Sequence, residues 1–228
     1  MTTCILIHGF TGSPYEVEPL ARHLRSSGYD VITPVLAGHE EPHFRSDVQW
    51  TEWIASAEKV VMEICQQKRD VILCGFSMGG MIAIYLANRY PIKKLILLSP
   101  SAYYPNLELM WNQVRENGVI RKEGSGGTSD DWQRYMQKVR RTPFRWVWQF
   151  HQLVRFCRPA IDQVQIPTLI IQGEQDNLVP AHSAHYLYDA IPTEEKYLYF
   201  LPQSPHIICH GCEQTEIFHY VDQFLKYS

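Results

Sequence analysis

Val71-Ile72-Leu73-Cys74-Gly75-Phe76-Ser77-Met78-Gly79-Gly80 is the stretch on which the reading of this chain turns. Four apolar residues lead into G-F-S-M-G, and Met81-Ile82-Ala83-Ile84-Tyr85-Leu86-Ala87 continues it as a buried helix would. Strand, tight turn and helix are the setting in which G-x-S-x-G presents a serine nucleophile. Side chains two residues before or after the serine would collide across so sharp a turn, and glycines stand there. The strained turn lifts the hydroxyl clear of the sheet. The helix that starts beside it aims unpaired N–H groups at a reacting carbonyl.

Working outward, Cys4-Ile5-Leu6-Ile7 is a run without alternation, as in a strand covered by helices on both faces. It ends in His8-Gly9-Phe10-Thr11-Gly12-Ser13, a glycine-rich loop whose backbone can face a ligand. Ser13 can cap and Pro14 can open the next helix, which runs to about Ser27 and stops at Gly28. Tyr29 to Pro34 reads as the second strand, 36–43 as a loop and Trp50 to Lys68 as a helix. That helix has Trp53, Ile54, Ala57, Val60, Val61 and Ile64 on its buried stripe. After the elbow helix, Lys94 to Ser99 is the next strand. The order β-α-β-α-β-α-β marks a parallel α/β sheet. Residues 101–160 interrupt it with aromatic and basic helical segments at 107–117 and 132–156, joined by the flexible stretch 124–129. Alternation resumes with a strand at 166–173, a helix at about 181–190, a strand at 196–201 and a helix at 213–226. The expectation is an α/β fold with a mostly parallel sheet of about six strands flanked by helices. Its core is formed by 1–100 and 161–228, with 101–160 inserted as a helical cap.

At 228 residues the chain is long enough for one large core with a modest insertion, and its net charge of −3 argues against a nucleic-acid binder. No basic and apolar leader opens it and no apolar run reaches membrane-spanning length, so a cytoplasmic protein without stable membrane insertion is expected. The six cysteines are scattered, as suits reduced thiols. Cys209-His210-Gly211-Cys212, with His206 upstream, has the spacing of a redox pair or half a metal site. No second C-x-x-C and no His-rich partner accompany it. It is therefore read as two thiols near the start of the last helix.

A serine hydroxyl needs an imidazole to take its proton, a carboxylate to hold the imidazole, and N–H donors for the oxyanion. In this setting the order along the chain is serine, acid, histidine. The strand at 168–173 ends in Gly173-Glu174-Gln175-Asp176, which puts Asp176 at the carboxyl edge of the sheet, where open α/β sheets bind ligands. The last strand ends in Leu201-Pro202-Gln203-Ser204-Pro205-His206, at the same edge. Glu174 competes as the acid but lies closer to its strand. Histidines 8, 39, 43, 182, 185, 210 and 219 compete as the base, and none both follows the acid and sits directly after the last strand. The catalytic assignment is Ser77, Asp176 and His206. The oxyanion donors are the N–H of Met78, next to the nucleophile, and the N–H of Phe10, in the loop after the first strand.

These pieces carry a resemblance. I-L-I-H-G-F-T-G at 5–12, L-A-G-H at 36–39, G-F-S-M-G-G at 75–80, P-T-L-I-I-Q-G-E-Q-D-N-L-V-P at 167–180 and S-P-H at 204–206 resemble α/β-hydrolases of the bacterial carboxylesterase and monoacylglycerol-lipase group. The likeness spans the chain apart from the expected cap. Pro205 and the Leu36-Ala37-Gly38-His39-Glu40 run depart from the group's common S-G-H and R-G-H-G patterns, and His39 receives no catalytic role. The resemblance implies no metal or organic cofactor, and a sheet lacking the first two strands of larger members. It implies a serine carboxylic ester hydrolase acting through an acyl-enzyme on short- to medium-chain acyl esters or monoacylglycerols. The alternative is an acyl thioesterase or carbon–carbon bond hydrolase with the same three residues. A non-catalytic binding protein of this fold would be expected to have lost one of them. The expected partner is a small-molecule ester, and nothing in the sequence addresses oligomeric state.

Met110, Trp111, Tyr135, Met136, Phe144, Trp146, Val147, Trp148, Phe150 and Phe156 make the segment 101–160 apolar enough both to pack and to line an acyl pocket. The segment carries 10 basic and 5 acidic residues, a surface suited to solvent or to anionic substrates.

Overall fold

The computed structural model describes residues 2–40, 45, 47–102 and 144–226. His43, Met110, Trp111, Tyr135, Met136, the stretch 124–129, the helical segment 107–117 and the first part of 132–156 lie outside the described residues, as does the Phe144 side chain.

Six strands form one parallel sheet: β1 (Thr2–Ile7), β2 (Asp30–Ile32), β3 (Asp70–Phe76), β4 (Ile92–Leu98), β5 (Thr168–Gly173) and β6 (Lys196–Leu201), in the order β2-β1-β3-β4-β5-β6. The helices are α1 (Glu18–Ser26), α2 (Trp50–Gln66), α3 (Met78–Ala87), α4 (Phe144–Cys157), α5 (His182–Ala190) and α6 (Gln214–Lys226). Successive strand residues feed opposite faces. Ile5, Ile7, Val71 and Leu73 join one hydrophobic cluster with residues of α2, α3, α4 and α5. Cys4, Leu6, Ile72 and Cys74 join the other, with residues of α1 and α6. Strands buried on both sides have no polar face, so their sequences read as unbroken apolar runs.

The chain steps outward from β1 to β2, then back across to β3 and onward. The loops after β1 and β3 thus part at the point where strand order reverses, which opens a crevice at the carboxyl edge of an α/β sheet. Right-handed crossovers in opposite directions place α1 and α2 on opposite faces.

Helix α3 is buried on nearly every side, as its uniformly apolar sequence requires. On α2 the buried stripe is Trp53, Ile54, Ala57, Val61 and Ile64, with Val60 half-buried. Residues Trp146, Val147, Phe150, Leu153, Val154 and Cys157 of α4 enter the same cluster as α2 and α3. The Trp50 N–H, at the start of α2, donates to Gln149 Oε1 at 3.1 Å. In contrast, Trp148 and Phe156 are exposed. Among the described residues, no helix is long and apolar enough to cross a membrane.

Several expected boundaries move. Pro14 opens a 3-10 turn, Pro14–Val17, rather than an α-helix, and Ser13 makes no side-chain capping bond there. The α-helix restarts at Glu18 because Pro19, in its first turn, has no N–H to give to a preceding turn. Strand β2 is only three residues long, an edge strand whose extension runs into Pro34.

The β3–α3 crossing explains two glycines. A Cβ on Gly75 would strike the Gly79 carbonyl, and one on Gly79 would strike the carbonyl oxygens of Ile7 and His8. Elbow and β1 are therefore in backbone contact. Gly79→Ala is expected to lower the unfolding free energy by about 1–3 kcal/mol, the range for overpacking a tight interior. Urea denaturation checks this, and an unchanged midpoint would contradict the close packing of elbow and β1.

Candidate active site

Ser77 sits between β3 and α3 with φ 53° and ψ −115°. This is a positive-φ conformation that a non-glycine residue adopts at a cost of about 1–3 kcal/mol. The turn is held from outside: the Ser77 N–H donates to Leu98 O at 2.9 Å, and the Ser101 N–H donates to Ser77 O at 3.3 Å. The end of β4 thus clamps the elbow, and Ser77 is 4 % exposed.

Two further loops deliver His206 and Asp176 to this point. His206 Nδ1 lies 2.7 Å from Asp176 Oδ2, and His206 Nε2 lies 3.0 Å from Ser77 Oγ. A carboxylate oxygen accepts, so in the neutral imidazole the Nδ1–H donates to Asp176. Nε2 is then left to accept from the Ser77 hydroxyl. Both side chains of the His206–Asp176 pair are buried. Strand β5 ends at Gly173, and the loop after it wraps the acid: the Leu178 and Val179 N–H groups each donate to Asp176 Oδ1 at 2.8 Å. A Cβ at Gly173 would strike the Ser204 carbonyl, so the acid loop and the histidine loop are packed backbone to backbone. Glu174, the competing acid, is exposed, and Asp176 is the acid that bonds His206.

The sequence reading did not single out Gln172, the penultimate residue of β5. Its side chain is fully buried, and Nε2 donates to Asp176 Oδ2 at 2.9 Å, Gly173 O at 3.2 Å and Val179 O at 3.3 Å. Its Oε1 has no hydrogen-bond partner among the described residues, an omission that ordinarily costs about 1–3 kcal/mol. The available signal was a polar residue closing the apolar run Leu169-Ile170-Ile171 while still within the strand.

The loop after β1 is built by three side chains whose roles the sequence did not disclose. The Gly9 N–H donates to Glu16 Oε2 at 2.8 Å, and the Thr11 N–H donates to His39 Nε2 at 3.3 Å. In return the Leu36 N–H donates to His8 Nε2 at 3.1 Å. The Nδ1–H of His8 donates to Gly9 O, and that of His39 to Ala37 O. The two imidazoles, 5.2 Å apart, thus lace the loop after β1 to the loop after β2. With the Gly9 and Thr11 amides engaged, and Gly12 N–H donating to Gly9 O at 3.3 Å, the Phe10 N–H has no acceptor among the described residues. Met78, the other expected donor, is the first residue of α3, where an N–H has no intrahelical acceptor.

The Phe10 ring stacks on Phe150 of α4 at 5.0 Å, with Trp53 at 5.8 Å and Trp146 at 6.0 Å. The expected cap segment therefore places aromatic rings directly against the loop that carries the Phe10 N–H.

Among the described residues no group of His, Cys, Asp and Glu could hold a metal ion. Cys209 and Cys212 are both free thiols. Cys209 is buried, and its thiol is pushed up to about 12 by desolvation and then by Glu16, while Cys212 is exposed.

An open parallel sheet with a nucleophile elbow and a serine–histidine–carboxylate group at its carboxyl edge defines the α/β-hydrolase class. The family model described as serine aminopeptidase, S33 (Hydrolase_4) matches residues 1–213, and the chain belongs to that family. It is similar to a carboxylesterase of Bacillus subtilis (strain 168), with 25 % identity over 227 residues, covering 97 % of this chain and 91 % of that one. It is also similar to a thermostable monoacylglycerol lipase of Bacillus sp. (strain H-257), 28 % identical over 217 residues, covering 93 % and 86 %. Its fold matches a solved structure from work on LipS and LipT, two metagenome-derived lipolytic enzymes, with a TM-score of 0.82 and 21 % identity, covering 100 % and 94 %. The chain is a serine hydrolase.

Burial lowers His8 to about 3, helped by neighbouring His39, and lowers His39 to about 4. In the unfolded chain each takes up its proton near pH 6.5, the ordinary histidine value. Between about pH 6.5 and pH 4 the unfolded state therefore binds more protons, and stability falls as pH falls. His39→Gln keeps a neutral acceptor for the Thr11 N–H and removes one of these groups. From pH 7 to pH 5 the wild type should lose on the order of 2 kcal/mol more unfolding free energy than the variant. Urea denaturation at the two pH values checks this, and parallel losses would refute a buried neutral His39.

Proposed function

We propose that the chain is a carboxylic ester hydrolase that works through an acyl-enzyme on short- to medium-chain acyl esters or monoacylglycerols. The observation that carries this reading is the hydrogen-bonded series from Ser77 Oγ through His206 to Asp176, assembled from three separate strand ends. Its relatives named carboxylesterase and monoacylglycerol lipase support the substrate class.

In this proposal His206 Nε2 takes the Ser77 proton as Oγ attacks the ester carbonyl carbon. The oxyanion is received by the Met78 and Phe10 N–H groups. Collapse expels the alcohol, which takes the proton from His206. Water then gives a proton to the same nitrogen and attacks the acyl-serine; collapse breaks the acyl–Oγ bond, Ser77 Oγ takes the proton back from His206, and the acid is released. Asp176 holds the tautomer and stabilises the imidazolium. No step calls on a metal or cofactor.

In the same proposal the segment 101–160, through its described helix α4, acts as a cap on a hydrolase core of 1–100 and 161–228. Phe150 and Trp146 bring that cap to the oxyanion loop, and an acyl chain would lie along such an aromatic wall.

A fluorophosphonate should label Ser77 in the wild type and leave Ser77→Ala unlabelled. That variant should retain no hydrolysis of p-nitrophenyl esters above background. Asp176→Asn should lower kcat by roughly 10³–10⁴-fold, as expected where the imidazole loses its tautomer-setting partner. Full activity in Ser77→Ala would end this reading. In a side-by-side panel, p-nitrophenyl esters and monoacylglycerols should be turned over faster than acyl-CoA or diketones. The reverse ranking would make the chain a thioesterase or a carbon–carbon bond hydrolase.

A further inference from the structure

The geometry points to Gln172 as a positioning residue that holds the Asp176 carboxylate in register with His206, an inference that rests on the catalytic reading of Ser77, His206 and Asp176. Asp176 Oδ1 is pinned by the Leu178 and Val179 N–H groups of its own loop. Those bonds fix one oxygen and leave the carboxylate plane free to turn about it. The other oxygen, Oδ2, accepts from His206 Nδ1–H and from Gln172 Nε2–H. Among the described residues, Gln172 is thus the group outside the acid's own loop, other than His206 itself, that fixes where Oδ2 lies.

The anchor is rigid. Gln172 stands in β5, paired in register with Phe200 of β6, and Gly173 beside it pairs with Leu201. The two hydrogens of Nε2 are shared between Asp176 and the carbonyls of Gly173 and Val179, drawing the far end of the acid loop back onto the strand that launches it. One buried amide therefore ties strand end, acid and loop end together.

The orientation of that amide is forced. All three partners of Nε2 are oxygens that accept, so a flipped amide would set Oε1 against three acceptors. In the orientation adopted, Oε1 is buried with no partner among the described residues. A side chain chosen for packing alone would be apolar here, like its neighbours Leu169, Ile170 and Ile171. A buried amide that donates to the proposed catalytic carboxylate while its own oxygen goes without a partner among the described residues is the local conflict that marks a site serving function over stability.

Gln172→Met keeps the length and removes the amide. If Gln172 acts through Asp176, hydrolysis of p-nitrophenyl butyrate should show kcat reduced about tenfold with KM within twofold of wild type. The same substitution in an Asp176→Asn background should change kcat by less than twofold, because the partner through which it acts is already gone. Should Gln172→Met fail to fold, Gln172→Glu enters the same cycle with the same expectation. A kcat within twofold of wild type overturns the proposal, and so does an equal factor in both backgrounds. Fluorophosphonate labelling of Ser77 in the wild type runs alongside. Absence of label defeats the catalytic reading itself, whereas label together with an additive cycle defeats the Gln172 proposal alone.

Discussion

The whole arrangement depends on how closely β3, α3 and β1 approach one another around Ser77. The serine is held at positive φ because β3 must reverse into α3 without an intervening loop. That reversal is possible only where Gly75 and Gly79 present bare backbone to each other and to the Ile7 and His8 carbonyls. The strain is local, and its restraint comes from outside: Leu98 and Ser101 at the end of β4 grip the Ser77 backbone on both sides. A well-packed sheet can hold one residue in a poor conformation because neighbouring strands remove the alternatives. The same contact sets the loop after β1 beside the elbow, bringing the Phe10 and Met78 amides to the same edge of the sheet.

Around that contact the buried polar groups are arranged as matched sets. Asp176 accepts four hydrogen bonds, from Gln172, His206, Leu178 and Val179, through a side chain that is itself buried. His8 and His39 do the opposite work. Burial keeps them neutral, and only a neutral imidazole offers an unprotonated nitrogen to a backbone N–H. Glu16 completes the loop by accepting from Gly9. Of the three histidines, His206 bonds two side chains, Ser77 and Asp176, whereas His8 and His39 accept from backbone N–H groups.

Much of this was legible in the chain itself, and the reason is that it is local. Unbroken apolar runs reported strands covered on both faces. Two glycines at fixed distance from a serine reported a turn without room for side chains. Asp176 and His206 followed from their places just past strand ends. The misplaced features were local too, but depended on competition: Pro14 could open either kind of helix, and Pro19 decided in favour of a 3-10 turn followed by a fresh start. Gln172, Glu16 and the paired loops held by His8 and His39 were not legible, since each acts on residues that reach it only through folding.

The sequence by itself therefore determined the order of the described elements, the elbow, and which serine, acid and histidine stand just past strand ends. Each is written in the spacing of residues within a single turn or strand, where steric exclusion acts between near neighbours. Only the tertiary structure decided that three loops meet with a hydroxyl, an imidazole and a carboxylate at 3.0 and 2.7 Å. It also decided that a strand glutamine donates to the acid, and that a ring of α4 stacks on Phe10 in the loop after β1. Those facts rest on hydrogen bonds and ring contacts between residues far apart in the chain. Such contacts form once sheet register and helix packing have fixed which distant side chains share a buried space.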